Sequence, residues 1–251
     1  MSIIILAAGK GKRMNNPSMA KVMALLDGKP LINYVLDTVK KINAEKLFLV
    51  IGYQKDSIIE FVSTLDIDNL YFVEQREQLG TGHAVAQVKP FLNGWSGDLL
   101  ILAGDVPLIS YETLTRFLEE HKNSKADLSV LTAKIANPFG YGRIIRNIDN
   151  SFNKIVEEKD ADESQRKVNE INSGVYVVKS EFLFEALKEL KNDNNQKEYY
   201  LTDIVEIFRQ KNRKVEAFLI ADYDEIFGIN SQEDLLEAQK ILNSKNQNKV
   251  Y

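Results

Sequence analysis

Ile3-Ile4-Ile5-Leu6-Ala7-Ala8-Gly9-Lys10-Gly11-Lys12-Arg13-Met14 is an apolar run that breaks directly into glycines and cations. Unbroken apolar character is what a strand buried on both faces requires, as in a parallel sheet covered by helices. Glycines after such a strand let backbone N–H groups approach an oxyanion, and Lys10, Lys12, Arg13 and the later Lys21 add charge that phosphoryl oxygens can meet. The spacing is not that of a Walker loop. A dinucleotide fingerprint also fails, since it needs a third glycine and an acidic residue after the second strand, which here ends in Ile51-Gly52-Tyr53-Gln54. The segment reads as a phosphate site of another kind, with a solvated surface turn as the plain alternative.

Working outward, strand and helix patterns alternate. Residues 2–7, 46–52, 69–73, 98–103 and 127–135 read as short strands, and amphipathic segments run from Pro30 to Ile42, Gln54 to Thr64, Thr81 to Leu92 and Ser110 to Lys122. This alternation predicts a doubly wound α/β sheet whose strand carboxyl ends share one edge, where ligands bind. From about residue 137 the rhythm changes: Gly142–Arg146, the Asp149-Asn150-Ser151 turn and Lys154–Glu157 read as a hairpin, followed by a charged loop at 158–168 and a strand at Asn172–Val178. Helices at roughly 180–191 and 199–211, a strand at 214–221 and a helix from Ser231 complete the pattern. The organisation expected is one domain over 1–243, with a doubly wound half to about 136, a substrate-covering subdomain over about 137–230, and a frayed tail at 244–251.

Composition narrows the chemistry. The 251 residues hold no cysteine and two histidines, His83 and His121, so a metal site must rely on oxygen donors and suits a hard ion such as magnesium. A net charge of −4 argues against an extended nucleic-acid surface and leaves the first loop as a local basic spot for a small polyanion. No apolar run reaches membrane-spanning length and no signal peptide precedes the first strand, so a cytoplasmic location without membrane contact is expected.

Within this frame Asp105, in Gly104-Asp105-Val106-Pro107, follows a buried strand too early to cap the helix that Ser110 begins, and a carboxylate there can hold a divalent cation against phosphate. Gly80-Thr81-Gly82 offers backbone donors and a hydroxyl at a helix start, and Gln75 and Gln78 can meet a base edge through one donor and one acceptor; an ordinary cap is the competing reading. His83 reads as structural. Asn172 and Asn230 each lie beside a glycine or strand end, and Asn230 serves equally as a turn residue. Without a Ser-His-Asp order or paired carboxylates, phosphoryl or nucleotidyl transfer fits best, since positioning and electrostatics can perform it.

These motifs, together with Gly140-Tyr141-Gly142-Arg143-Ile144, Ile155-Val156-Glu157, Glu170-Ile171-Asn172-Ser173-Gly174, Glu198-Tyr199-Tyr200-Leu201-Thr202-Asp203 and Gly228-Ile229-Asn230, resemble those of the sugar-1-phosphate nucleotidyltransferases. The resemblance is strongest to the uridylyltransferase half of the bacterial N-acetylglucosamine-1-phosphate uridylyltransferases and runs from Ile3 to about Leu236. It implies a Rossmann-like mixed sheet of the nucleotide-diphospho-sugar transferase type, and magnesium-dependent transfer of a uridylyl group from UTP to N-acetylglucosamine 1-phosphate, a step toward cell-envelope precursors. It assigns Arg13 and Lys21 to catalysis and Leu6, Ala7, Ala8, Gly9, Gln75, Gln78, Gly80 and Thr81 to the nucleotide. Gly104, Gly142, Glu157, Asn172, Tyr199 and Thr202 fall to the sugar, and Asp105 and Asn230 to the metal. Tyr176, Tyr199 and Tyr200 are candidates for an apolar wall beside the acetyl methyl, with core packing as their alternative.

Two departures stand out. The family usually has proline before the lysine matching Lys21, whereas here Ala20 precedes it in a segment that reads one residue longer. Bifunctional members continue into a left-handed β-helix acetyltransferase, whereas this sequence stops at Tyr251. The expectation is therefore a monomer or weak homo-oligomer without acetyl transfer or a β-helix trimer. Use of glucose 1-phosphate or dTTP, or a non-catalytic nucleotide-sugar-binding regulatory module, are the alternatives.

Overall fold

The opening apolar run forms β1 (Ser2–Ala7), followed by a short hairpin, β2 (Leu25–Leu26) and β3 (Lys29–Pro30), and then α1 (Leu31–Val39), β4 (Leu47–Ile51), α2 (Lys55–Val62) and β5 (Leu70–Glu74). The chain then returns through α3 (Thr81–Ala86) to β6 (Asp98–Ala103), α4 (Tyr111–Ser124) and β7 (Leu128–Lys134). The second half contributes β8 (Arg143–Arg146), β9 (Phe152–Val156), α5 (Glu163–Arg166), β10 (Glu170–Lys179), α6 (Ser180–Ala186), α7 (Ile204–Gln210), β11 (Val215–Leu219) and α8 (Gln232–Gln247). This is a computed structural model that describes residues 1–11, 14 and 19–247, apart from the side chain of Asn246. Arg13 and Lys12, expected at the phosphate loop, and residues 248–251 of the expected tail lie outside the described residues.

Among the described residues one mixed sheet has the order β11-β7-β10-β6-β1-β4-β5, with β8 and β9 attached beside β10. β1 is parallel to both β4 and β6, pairing Ile4 with Phe48 on one side and with Ile101 on the other. Because strand side chains alternate, Ile3 and Ile5 join a core with Val35 of α1, Ile58 of α2 and Phe117 of α4. Ile4 faces the opposite layer, with Val85 of α3, Leu183 of α6 and Phe208 of α7. Each fully buried aliphatic side chain contributes about 1.5–3 kcal/mol, so helices on both faces explain why the strand carries no polar alternation.

After β1 the chain builds outward through β4 and β5, then crosses back to β6 on the other side. The switch in direction lies between β1 and β6, and their carboxyl ends frame a crevice. β10 is antiparallel to β6, pairing Tyr176 with Ile101, so its amino-terminal end rises to the same edge and carries Asn172 to the level of the β6 carboxyl end. No helix among the described residues is long and apolar enough to cross a membrane.

Several boundaries differ from expectation for identifiable reasons. The helix beginning at Thr81 stops at Ala86 and gives way to a 3-10 turn at Lys89–Leu92, because Pro90 supplies no N–H to an α-helical ladder. The segment 199–211 is helical only from Ile204, after a 3-10 turn at Leu201–Asp203. The helix after β10 ends at Ala186 rather than near 191. Within the charged loop, Asp162 and Gln165 form a capping box that starts α5. α8 continues through Gln247, so residues 244–247 extend the helix instead of fraying from it.

Candidate active site

At the crevice three polar side chains from distant parts of the chain meet. The Lys21 ammonium donates to Asp105 Oδ2 and to Asn230 Oδ1, the latter at 3.0 Å, across separations of 84 and 209 residues. Asp105 stands there because β6 has just ended, and Gly104 N–H donates to Leu6 C=O at 2.9 Å, joining the ends of β1 and β6. Asn230 is held by its own surroundings: Ile229 N–H donates to Asp105 C=O at 2.9 Å, and Asn230 Nδ2 donates to Gly228 C=O at 3.2 Å. Asp234 accepts from the Asn230 and Ser231 amides, while Ser231 Oγ accepts from Asp234 N–H at 3.1 Å, which caps α8 and fixes the Asn230 turn.

The Asp105 carboxylate and the Asn230 amide oxygen converge on a single cationic group, a donor set that fits a hard divalent ion completed by water or phosphate oxygens. Among the described residues no group of three or more His, Asp or Glu side chains forms a metal cage. Both sequence-assigned metal positions are thus brought together, with Lys21 between them; Leu6, Ala7, Ala8 and Gly9 line the end of β1 beside them.

The Gln75–Thr81 loop is held by a network of internal hydrogen bonds. Gln75 is buried, and its amide nitrogen lies 3.0 Å from both Gly80 C=O and His83 Nδ1. Gln78 Nε2 donates to Gln75 C=O at 3.0 Å. The glutamine NH2 groups brace their own loop. Gly82 N–H donates to Tyr199 C=O at 2.8 Å, Thr81 Oγ1 accepts from Leu201 N–H at 3.0 Å, and Tyr199 N–H donates to Leu79 C=O at 2.7 Å. Gly80 has φ +113°, and a β-carbon on it would lie 2.6 Å from Tyr199 O. Gly80 is required chiefly by the close passage of Tyr199, whereas a β-carbon on Gly82 would meet first the Leu190 side chain and then Tyr199 O. His83, between the Gln75 and Gln87 amides, is a structural residue in this setting.

A second constellation lies in the other half. Glu157 Oε1 accepts from Thr202 Oγ1 at 3.0 Å. A β-carbon at Gly142 would stand 3.5 Å from Glu157 Oε2 and 3.6 Å from Asn172 Cβ, and Asn172 N–H donates to Gly142 C=O at 2.9 Å. Glu157 remains reachable by solvent yet is densely surrounded. This desolvation raises its pKa, the Thr202 hydroxyl opposes the rise, and Asp203, Asp160 and Glu198 add to it. Asp203 is pushed up to about 6, first by burial and then by Glu206 and Asp160.

The tyrosines divide. Tyr176 packs in the core, where burial raises its pKa and Asn172 Nδ2 donates to its hydroxyl at 2.8 Å. Tyr200 is also buried and donates to Asp160 Oδ2 at 3.1 Å. For these two the core alternative holds, leaving Tyr199 half-buried.

Sequence reasoning missed the buried ion pairs of this half. Glu170 would be raised by burial, but Arg146, through two bonds of 2.8 and 2.7 Å, and the Thr132 hydroxyl hold it low. Arg143, almost wholly buried, pairs with Glu158 at 2.6 Å. A charged residue inside an apolar strand such as Gly142-Arg143-Ile144-Ile145 is the signal available beforehand; its partner is not.

Residues 2–247 match the family model described as nucleotidyl transferase. The chain is 48% identical over 242 residues to the bifunctional protein GlmU of Geotalea daltonii, covering 96% of this chain and 52% of that protein. It is 44% identical over 245 residues to the bifunctional protein GlmU of Geotalea uraniireducens, covering 98% and 53%. The chain spans about half the length of the curated relatives it matches. Its fold is similar to that of a UDP-glucose pyrophosphorylase complexed with UDP-glucose, with a TM-score of 0.77 at 20% identity over 97% of this chain and 98% of that one.

Proposed function

The chain belongs to the nucleotidyl transferase family, and we propose that it transfers a uridylyl group from UTP to N-acetylglucosamine 1-phosphate, giving UDP-N-acetylglucosamine and pyrophosphate. The observation that carries this reading is the meeting of Lys21, Asp105 and Asn230 where β1 and β6 end. A phosphate oxygen of the sugar 1-phosphate attacks the α-phosphorus in line. The new P–O bond forms as the bond to the β-phosphate bridging oxygen breaks, and that electron pair departs on pyrophosphate. The nucleophile is already an anion, so no general base is needed. Lys21 meets the developing charge on phosphoryl oxygens, an electrostatic role suited to a water-poor crevice. Asp105 and Asn230 would hold magnesium, which when bound supplies Lewis-acid neutralisation of phosphate charge. Gly142, Glu157, Asn172 and Thr202 orient the sugar, and Tyr199 is the aromatic surface left for the acetyl group.

Glucose 1-phosphate is the second reading. It is favoured by one observation: Tyr176 and Tyr200 are drawn into internal hydrogen bonds, so the wall expected beside an acetyl methyl is reduced to Tyr199. A pyrophosphate-release assay with magnesium, crossing UTP, CTP and dTTP with N-acetylglucosamine 1-phosphate and glucose 1-phosphate, tests both. The proposal predicts the highest kcat/KM for UTP with the amino sugar; no pyrophosphate from any pair contradicts it.

A further inference from the structure

The segment Gly140-Tyr141-Gly142 reaches the sugar constellation as a loop, and one buried cation ties it down. Arg143 opens β8 at 1% exposure, although a guanidinium stays charged at any ordinary pH. One arm of its fork donates to Tyr141 C=O, and the other donates to Glu158 Oε2 at 2.6 Å. The same carboxylate oxygen accepts from Gly140 N–H at 3.1 Å. The third donor, Nε, is buried without a hydrogen-bond partner. A buried ion pair with an unpaired donor is a poor device for stability, and an apolar side chain of similar volume often serves as well. Its geometry serves something else. Glu158 directly follows Glu157, and Gly142 directly precedes Arg143, so beyond the β8–β9 pairing of Arg143 with Val156 the guanidinium joins the loop before β8 to the segment after β9, beside the two groups that approach each other across the candidate sugar pocket.

We propose that Arg143 is a positioning residue for the sugar phosphate: through Tyr141 C=O and Glu158 it locks the Gly140–Gly142 loop to the end of β9, so that Gly142 and Glu157 meet the sugar at a set spacing. This rests on the assignment of Gly142 and Glu157 to the sugar made above. Lysine keeps the charge but has a single ammonium in place of the fork, so it cannot hold both oxygens in the same plane.

The test compares the parent chain with Arg143→Lys and Glu158→Gln in steady-state assays, varying each substrate in turn, with thermal unfolding in parallel. The proposal predicts that KM for the sugar phosphate rises about tenfold or more in both variants while KM for UTP stays within about twofold, the signature of lost binding at one substrate only. A merely structural role lowers the melting temperature and the active fraction, and with them kcat, without that split. If Arg143→Lys does not fold, Glu158→Gln alone carries the comparison. A parent that turns over sugar phosphates normally, with variants whose two KM values shift together or not at all, overturns the proposal alone. A parent inactive with every sugar phosphate overturns it together with the function on which it rests.

Discussion

Replacing Gly80 by alanine probes the contact that joins the two halves of the site. The new β-carbon would lie 2.6 Å from Tyr199 O, 2.7 Å from Tyr199 N and 3.0 Å from Glu198 Cβ, at a backbone φ of +113°. Both Tyr199 atoms are pinned, N–H to Leu79 C=O at 2.7 Å and C=O to Gly82 N–H at 2.8 Å, so relief requires breaking a backbone bond. Backbone strain of about 1–3 kcal/mol adds to an overpacking penalty of about 1–3 kcal/mol, together about 2–6 kcal/mol. For a chain of this size that is a fall in melting temperature of about 4–24 °C. Gly28→Ala is the control: φ there is +77°, but nothing lies within 4 Å of the added carbon, so only strain of about 1–2 kcal/mol applies. Calorimetry or urea unfolding of both variants gives the comparison, and initial rates should show the larger loss in Gly80→Ala. Equal destabilisation of the two would refute the close passage of residues 199–201 as the reason for Gly80.

Three further outcomes follow from the site. Asp105→Asn should lower turnover by about two or more orders of magnitude in a chain that still folds, its melting temperature lowered only by the loss of the Lys21 ion pair; near-normal magnesium-dependent turnover would remove Asp105 from the cation site. Asp203 binds its proton more tightly in the folded chain, with a pKa of about 6 against an ordinary 3.8, so its stabilising contribution is complete below 3.8 and is lost as pH rises through 6. Asp203→Asn should therefore unfold at a higher temperature than the parent at pH 8, with the two converging near pH 4; an offset that does not vary with pH contradicts this. Thr202→Val removes the hydroxyl that donates to Glu157 and should raise KM for the sugar phosphate by about tenfold, the scale of one lost bond to a crowded carboxylate; an unchanged KM would place Thr202 outside sugar recognition.

The framework was legible where burial dictates residue type. β1, β4 and β6 follow from unbroken apolar runs between helices, and the positions of Gly9 and Asp105 at strand ends follow from them. Local punctuation was legible only in part. Pro90 marked the place where α3 could not continue, and Asp162 with Gln165 spelled a capping box inside a segment whose charge suggested a loop. What the sequence leaves open is pairing across long separations. Nothing near Gln75 announces that its amide turns inward to Gly80 and His83, and nothing near Arg143 names Glu158 as its partner. Tyr176 and Tyr200 have the composition of a ligand wall, yet their hydroxyls find partners inside the fold, and that outcome depends on where Asn172 and Asp160 stand.

The most direct measurement is a competition in one vessel: the enzyme with UTP, magnesium and equal concentrations of N-acetylglucosamine 1-phosphate and glucose 1-phosphate, with the two nucleotide sugars quantified by mass spectrometry at low conversion. Burial of the acetyl methyl and pairing of its amide predict a product ratio of about tenfold to a hundredfold in favour of UDP-N-acetylglucosamine. A ratio of one or below would contradict the assignment of the amino sugar.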